Sequence, residues 1–187
     1  SDKPNLTIER NKFWNLTNSS YSSGSYTYFY PIYIYQYSYA AGDTTKIINN
    51  MITHTPSYST SYAYLYGMYV NQYAYTTNGL NVLLSDNSFR FTGSIYYSYL
   101  FYLYCYGSYP VNYIVKNNIF NNQMTALGYP FYVYGYWTWD ARKNDFWFSG
   151  ANNWYPGANS IGYFYCPSPY FYGYYSSVSA YASALEP

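Results

Sequence analysis

The chain has 187 residues, enough for one domain with a buried core and too few for two comfortable ones. Charged side chains make up 8% of it, with eight basic and seven acidic residues and a net charge of +1. This balance argues against nucleic acid as a partner, and the sequence contains no run of about 18–20 apolar residues that would predict membrane insertion.

The first twenty residues hold three Asn-x-Ser/Thr triplets, which begin at Asn5, Asn15 and Asn18. Such triplets accept N-linked glycans in secreted proteins, so these asparagines are glycosylation candidates. No basic start followed by an apolar centre marks a signal peptide. The sequence therefore fits a mature chain, a fragment or a cytosolic protein.

Five phrases centred on asparagine recur along the chain, at spacings of 39, 37, 31 and 26 residues. The residues around them alternate with a period of two, which excludes helical repeats. The phrases are "LTIERNKF" (6–13), "TKIINNMI" (45–52), "VLLSDNSF" (82–89), "YIVKNNIF" (113–120) and "DARKNDFWF" (140–148), centred on Asn11, Asn50, Asn87, Asn118 and Asn144.

We expect each central asparagine to form a sharp bend between successive strands, because asparagine tolerates the left-handed backbone conformation better than most residues. If the phrases stack, the side-chain amides lie above one another and can hydrogen-bond along a ladder. The flanking columns then face inward: Ile8, Ile47, Leu84, Val115 and Ala141 before the bends, and Phe13, Ile52, Phe89, Phe120 and Phe146 after them.

A tyrosine-rich phrase follows each asparagine phrase: "PIYIY" (31–35), "GMYVN" (67–71), "LYCYG" (103–107), "PFYVY" (130–134) and "GYFYC" (162–166). In the first four, strand alternation predicts apolar residues on the inner face and tyrosines on the outer face. The predicted inner residues are Ile32, Met68, Leu103 and Phe131, beside Ile34, Val70, Cys105 and Val133. The predicted outer residues are Tyr33, Tyr69, Tyr104 and Tyr132.

Repeats of this length predict a solenoid, in which each unit buries its apolar face against the next. The arrangement resembles right-handed parallel β-helices of the pectin-lyase-like kind, in which "NN-I/V-F" phrases recur at the bends. The closing "NDFWFSGANNWYPG" (144–157) is also similar to the last coil of secreted members. We therefore expect one all-β domain over residues 1–187, a right-handed parallel β-helix of about five coils over 5–166 with a covering segment or tail over 167–187. The alternative is an antiparallel tyrosine-rich sandwich in which the asparagine phrases are ordinary turns.

Lyases of this kind use carboxylates that bind calcium and an Arg or Lys as the base, and the related hydrolases use paired Asp residues. The resemblance therefore implies that an active site here would be built from such residues. The densest charged group here is "WDARKND" (139–145), so Asp140, Arg142, Lys143 and Asp145 are weak catalytic candidates for a polysaccharide lyase or hydrolase. A solvated turn between the fourth and fifth coils explains the same residues, and we favour it. His54 is the one histidine and is expected at the surface, so we predict no metal site and no cofactor.

The two cysteines, Cys105 and Cys166, lack the spacing of a metal site. Cys105 falls in a predicted inner column and should be buried. Equivalent positions two coils apart are separated by about 10 Å, whereas a disulfide needs Cα atoms within about 7 Å. Both cysteines are therefore expected to remain thiols.

Tyrosine accounts for 35 residues, more than strand propensity explains. Its ring supplies a flat apolar body with a polar tip, and few charges oppose association. The leading hypothesis is a non-enzymatic extracellular or cell-surface solenoid that self-associates into a filament, sheath or layer. Strand-like sequence begins at residue 5 with no covering helix ahead of it, so either the chain continues a longer natural one or its ends stack on neighbours, and the second alternative adds weight to this hypothesis. The expected surface residues are Tyr33, Tyr35, Tyr69, Tyr104, Tyr106, Tyr132 and Tyr134.

The second hypothesis is a carbohydrate-binding or adhesin module of the same fold, with a polysaccharide as its partner. Sugars lay apolar faces on aromatic rings while their hydroxyls bond to polar side chains. In that case Tyr33, Tyr69, Tyr104 and Tyr132 form one accessible strip, which Trp137 and Trp139 continue.

Overall fold

A computed structural model describes residues 5–14, 27–39, 42–55, 63–75, 80–127, 131–148, 162–167 and 170–175. Over these residues the protein consists of β-strands joined by bends and turns, with no helix. The strands are β1 (Thr7–Glu9), β2 (Lys12–Phe13), β3 (Thr27–Phe29), β4 (Ile32–Ser38), β5 (Thr44–Ile48), β6 (Met51–His54), β7 (Ala63–Ala74), β8 (Leu80–Ser85), β9 (Ser88–Gly107), β10 (Val111–Lys116), β11 (Ile119–Leu127), β12 (Phe131–Gly135), β13 (Trp137–Arg142), β14 (Asp145–Phe148), β15 (Gly162–Pro167) and β16 (Tyr170–Tyr175).

Five strands that precede the asparagine bends form one parallel sheet, called sheet A here, in the order β1-β5-β8-β10-β13. The predicted column from Ile8 to Ala141 is confirmed, because its five members pair directly across this sheet. Ile8 is half-buried and the other four side chains are fully buried. Alternation therefore sets which face of sheet A enters the core.

The strands that follow the bends belong to a second sheet, sheet B, which has two parts. The lower segment pairs β2, β6, the start of β9, β11 and β14 in parallel. The predicted column from Phe13 to Phe146 is confirmed by this backbone register. The tyrosine segment pairs β3 and β4 with β7, then the end of β9, β12 and β15, also in parallel.

Strand β16 differs from the others because it runs antiparallel to β15. It comes from the region after Cys166 that carries no asparagine phrase. Every other strand pair in the described residues is parallel. The predominantly parallel pairing rules against the antiparallel sandwich as the architecture of this part of the chain.

The five central asparagines form the predicted hydrogen-bonded ladder. Each side-chain Nδ2 donates to the Oδ1 of the next asparagine at 3.0 Å, from Asn11 through to Asn144. Each backbone N–H donates to the same Oδ1 at 3.0–3.1 Å. The second Nδ2 hydrogen is also used, for example from Asn118 to the Leu84 carbonyl at 2.9 Å. The ladder thus satisfies buried amides that would otherwise cost free energy.

The left-handed backbone conformation occurs one residue earlier than predicted. The asparagines of the ladder are not in that region; the residues before them have φ between 54° and 58°. The five positions are Arg10, Asn49, Asp86, Asn117 and Lys143. Three of them hold Asn or Asp, whose short polar side chains accept this conformation more readily than most residues.

The register predicted for the third tyrosine phrase is wrong by two residues. Phe101 and Tyr102, rather than Leu103 and Tyr104, pair with Met68 and Tyr69 of β7. The pairing with β12 shows the same shift, since Phe131 lies beside Phe101. A strict alternation looks identical after a two-residue slip, so the pattern alone could not fix this strand.

The predicted alignment of Cys105 needs correction. Cys105 aligns with Gln72 and Gly135 rather than with Val70 and Val133, although its predicted burial is confirmed. It is a buried thiol whose Sγ lies 3.2 Å from the Tyr113 hydroxyl. The side chain of Cys166 lies outside the described part of the structure.

His54 is buried, so the predicted surface position is wrong. It lies two residues after Ile52 on the inner side of β6, and its ring packs 5.5 Å from the ring of Phe29. Aromatic rings fill much of the neighbouring core, where Phe101 stacks on Phe131 at 5.2 Å and meets Phe120 edge-on.

Removing one rung of the ladder should destabilise the protein. Asn118→Ala leaves the backbone and side-chain donors of Asn87 without the oxygen that accepts both at 3.0 Å. We expect a loss of about 1–3 kcal/mol in the free energy of unfolding, the cost of buried unsatisfied donors. Chemical denaturation measures it. The control is Asn112→Ala, which removes a half-buried asparagine from the outer face of β10, the strand that leads to the Asn118 bend, and should cost less. Equal losses in the two variants would contradict the importance of the ladder.

Candidate functional site

The outer side of the tyrosine segment carries a continuous set of aligned tyrosines, called the tyrosine face here. Because the strands are parallel and in register, outward residues of successive strands fall into rows. The rows are Tyr28, Tyr64 and Tyr97; Tyr30, Tyr66 and Tyr99; Tyr33, Tyr69, Tyr102 and Tyr132; Tyr35, Asn71, Tyr104 and Tyr134; Tyr37, Tyr73 and Tyr106; and Tyr39 and Tyr75.

In five of the six rows the neighbouring rings stack on one another, whereas Asn71 interrupts the row that begins at Tyr35. The longest described row runs from Tyr33 through Tyr69 and Tyr102 to Tyr132, with centroids 5.1, 5.0 and 4.6 Å apart and planes within 7°. This separation is close to the spacing of neighbouring strands, about 4.8 Å. The sheet therefore holds the rings at a favourable stacking distance, which adds roughly 0.5–1.5 kcal/mol per pair beyond burial. Interior rings such as Tyr69 have a neighbour over each face.

The tyrosine face consists of two panels that meet at a corner. At the corner two consecutive residues point inward, Gly67 and Met68 in β7 and Leu100 and Phe101 in β9. A Cβ at Gly67 would lie 2.5 Å from the Phe91 ring, so a glycine permits this close packing. The first panel holds the rows that begin at Tyr28 and Tyr30, and the second panel holds the remaining four rows.

Rings from the two panels meet edge to face along the corner. Tyr66 contacts Tyr69 and Tyr102 at 5.6 and 5.3 Å with planes 76° and 80° apart, and Tyr99 meets Tyr102 at 5.3 Å and 86°. Burial, and then the nearby tyrosines, raise the pKa of Tyr66, Tyr99 and Tyr102 above 10.0. These phenols therefore keep their protons to a higher pH than tyrosines in water.

No charged side chain of the described residues belongs to the tyrosine face. The charged residues in the strands of sheet A are Glu9, Lys46, Lys116, Asp140 and Arg142. The other exposed charges lie at the bends or on the lower segment of sheet B. Asp43 is buried and accepts a hydrogen bond from Ser38 at 2.7 Å. The chain thus separates its charges from its tyrosines, which leaves the tyrosine face apolar except for hydroxyl groups and Asn71.

The sequence predicted several members of this face but missed others. Tyr33, Tyr69 and Tyr132 share a row as predicted. Tyr104 instead lies in the row that contains Tyr35 and Tyr134. The whole first panel was missed. Its signal is the alternation in "YTYFY" (26–30), "YAYLY" (62–66) and "YYSYL" (96–100), which precede the tyrosine phrases.

Trp137 and Trp139 do not continue the tyrosine strip, so that expectation is wrong. Both belong to β13 of sheet A, on the side that faces the core. Trp137 is buried, and Trp139 packs against the core, with its ring 5.9 Å from that of Tyr113. An exposed tryptophan instead occurs at Trp147 on the lower segment, beside a row that includes the exposed Met51 and Ile119.

The charged cluster after Trp139 is divided between β13, the bend that follows it and the start of β14. Asp140 accepts a hydrogen bond from Arg142 Nε at 2.8 Å and lies 3.5 Å from Lys116 Nζ. Asp140 and Arg142 belong to β13, so the predicted turn is wrong for them, while Lys143 sits at the bend and Asp145 begins β14. Among the described residues, no group of three or more His, Cys, Asp or Glu side chains could hold a metal ion.

Asn5 has an exposed side chain, with φ of 65°, whereas Asn15 and Asn18 lie outside the described residues. In the described strands and turns there is no helix long and apolar enough to cross a membrane. No protein-family model, curated protein or solved structure matches the chain.

The raised tyrosine pKa values predict loss of stability at high pH. Unfolded tyrosines release their protons near pH 10.0, whereas Tyr66, Tyr99 and Tyr102 retain theirs to higher pH when folded. The unfolded chain then binds fewer protons, so the free energy of unfolding falls as pH rises above 10. Denaturation at a series of pH values, with tyrosinate absorbance, measures both effects. Tyr99→Phe should reduce the slope, and a stability unchanged through this range would contradict the prediction.

Proposed function

We propose that the protein is an extracellular or cell-surface structural β-solenoid that self-associates through its tyrosine face into a filament, sheath or layer. In this proposal the parallel sheets form a right-handed parallel β-helix of about five coils, of the pectin-lyase-like kind. The in-register pairing of the asparagine phrases across both sheets supports that architecture. The observation that carries the assembly proposal is the tyrosine face itself.

Two properties of the tyrosine face favour association with another copy. It is wide and largely apolar, and exposed aromatic patches of this kind mark interaction surfaces. Its tyrosines are also held by their neighbours before any contact is made, so association orders few additional side chains. The exposed members include Tyr33, Tyr39 and Tyr106. Since the face carries no charged side chain among the described residues, electrostatic repulsion does not oppose contact between two copies.

Carbohydrate binding is the second candidate, and the hydroxyl-rich outer edge of the face favours it. Sugar stacking needs an open ring face, however, and interior rings such as Tyr69 and Tyr102 have another ring over each side. A sugar would therefore meet mainly ring edges and hydroxyls. This geometry makes self-association the better supported function.

A polysaccharide lyase or hydrolase is less well supported. Its candidate carboxylate, Asp140, is engaged by both Arg142 and Lys116 on the outer face of sheet A. The next carboxylate in the sequence cluster, Asp145, belongs to a strand of the other sheet. An assay for new reducing or unsaturated sugar ends, with Asp140→Asn as control, tests this reading.

Two added charges on the tyrosine face should prevent assembly. Tyr33→Lys with Tyr106→Lys places like charges on the second panel at two exposed positions. Like charges brought together across an interface cost several kcal/mol, so we expect association weakened by about a hundredfold, or about 3 kcal/mol. Sedimentation velocity over a concentration series, with electron microscopy, measures the change.

The matched control is Ile119→Lys with Trp147→Lys, which adds the same charge at exposed positions of the lower segment. It should assemble like the unaltered protein. The proposal fails if the unaltered protein is monomeric at high concentration, or if both double variants assemble equally well. Glycan-array binding that disappears with the tyrosine variant in a monomeric protein would instead favour carbohydrate recognition.

A further inference from the structure

Three phenol groups meet within the second panel. The Tyr35 hydroxyl donates to the Tyr73 hydroxyl at 3.3 Å and lies 3.0 Å from the Tyr37 hydroxyl. Because the single Tyr35 proton is directed to Tyr73, the contact with Tyr37 has Tyr37 as the donor. The three hydroxyls therefore form one hydrogen-bonded chain, from Tyr37 through Tyr35 to Tyr73.

The rings at this place are also positioned for reaction with each other. The Tyr37 ring stacks on the Tyr73 ring with centroids 4.7 Å apart and planes 26° apart. Both hydroxyls lie within 3.3 Å of the Tyr35 oxygen, so the hydroxyl ends of the two rings, with the carbon atoms beside the hydroxyl groups, lie on the same side of the stack. These ortho carbons are the positions at which two tyrosyl radicals form a carbon–carbon bond.

We propose that Tyr37 and Tyr73 form a site of oxidative cross-linking, where a one-electron oxidant of the haem peroxidase class produces a dityrosine within one chain. The tyrosine face would then be a substrate for covalent modification. This inference goes beyond the assembly proposal and does not depend on it, because both tyrosines belong to the same chain.

The reaction balances with hydrogen peroxide as the terminal oxidant. Each tyrosine loses one electron and its phenolic proton to give a neutral radical. The two radicals join through their ortho carbons, and the ortho hydrogens then return to the oxygens as protons, which restores both phenols. The two electrons and two protons released reduce one hydrogen peroxide molecule to two water molecules.

Proximity favours coupling at this site over coupling between separate molecules. Two groups held in contact react as if each were present at a high concentration around the other, provided that their orientation suits the bond that forms. The hydroxyl chain also gives the departing phenolic proton a short path between oxygens. Tyr35 and Tyr39 are exposed and can meet an oxidant at the edge of the face.

Neighbouring rings can deliver oxidation to the pair. Tyr39 stacks on Tyr37 at 6.2 Å, and Tyr106 stacks on Tyr73 at 4.9 Å, so a radical formed at either ring has a close tyrosine partner. Electron exchange between adjacent phenols can then move two radicals until they are neighbours. Coupling ends the migration because the carbon–carbon bond is not readily reversed. The product would join β4 to β7 covalently and restrict the unfolded chain, as other cross-links do.

The test uses the full chain at a dilution where sedimentation shows a monomer, with a haem peroxidase and limiting hydrogen peroxide. Dityrosine fluorescence, the loss of two hydrogens by mass, and fragment-ion mapping identify the product. We expect a cross-linked peptide joining Tyr37 to Tyr73. Tyr73→Phe keeps the stacked ring but removes the phenol, and should abolish this peptide.

The matched control is Tyr75→Phe, which alters the next outward tyrosine beyond the hydroxyl chain and should retain the cross-link. Tyr37→Phe should lose it, as Tyr73→Phe does, and circular dichroism verifies that each variant is folded. A link that maps to other tyrosines, or that persists in folded Tyr73→Phe, overturns the inference. Cross-links found only between chains also overturn it, whereas they leave the assembly proposal standing.

Discussion

The asparagine ladder is the interaction on which the other features depend. Each Oδ1 accepts two hydrogen bonds from the preceding rung, so slipping one strand by a residue would break several buried bonds together. Hydrophobic columns on either side favour the same alignment. Apolar burial is tolerant of small shifts, whereas amide geometry is not. The ladder therefore fixes the register that the apolar columns favour.

The same register creates the tyrosine face on sheet B. Strand spacing and ring-stacking distance nearly coincide, so tyrosines at equivalent positions are stacked without further adjustment. Because the rings support one another, a surface of aromatic side chains can remain ordered while its hydroxyl edge faces solvent. The charged residues lie on other surfaces, where Asp140 pairs with Lys116 and Arg142. Separation of charge from tyrosine gives the molecule chemically distinct sides.

The asparagine columns could be predicted well because each central asparagine lies three residues after one inward apolar residue and two residues before the next. This unequal spacing allows the phrases to be aligned in only one way. Even Ala141, a weak member of its column, aligns with Val115. The tyrosine strands lack such a marker, so a shift of two at Tyr104 left the pattern unchanged. Consecutive inward residues such as Leu100 and Phe101 further interrupt simple alternation. The stacked rows and the hydroxyl contacts at Tyr35 depend on cross-strand neighbours, which one sequence does not identify.

The ladder also has a direction. Each Nδ2 from Asn11 to Asn118 donates toward the next asparagine, so the amide dipoles add along the stack rather than cancel. From Asn11 to Asn144 the described rungs therefore share one polarity, with each donor directed toward the following rung. Two copies that continued the row would meet head to tail, with different surfaces in contact. Contacts of that kind do not close into a symmetric pair; repeated along one axis, they produce a polar array with two unlike tips.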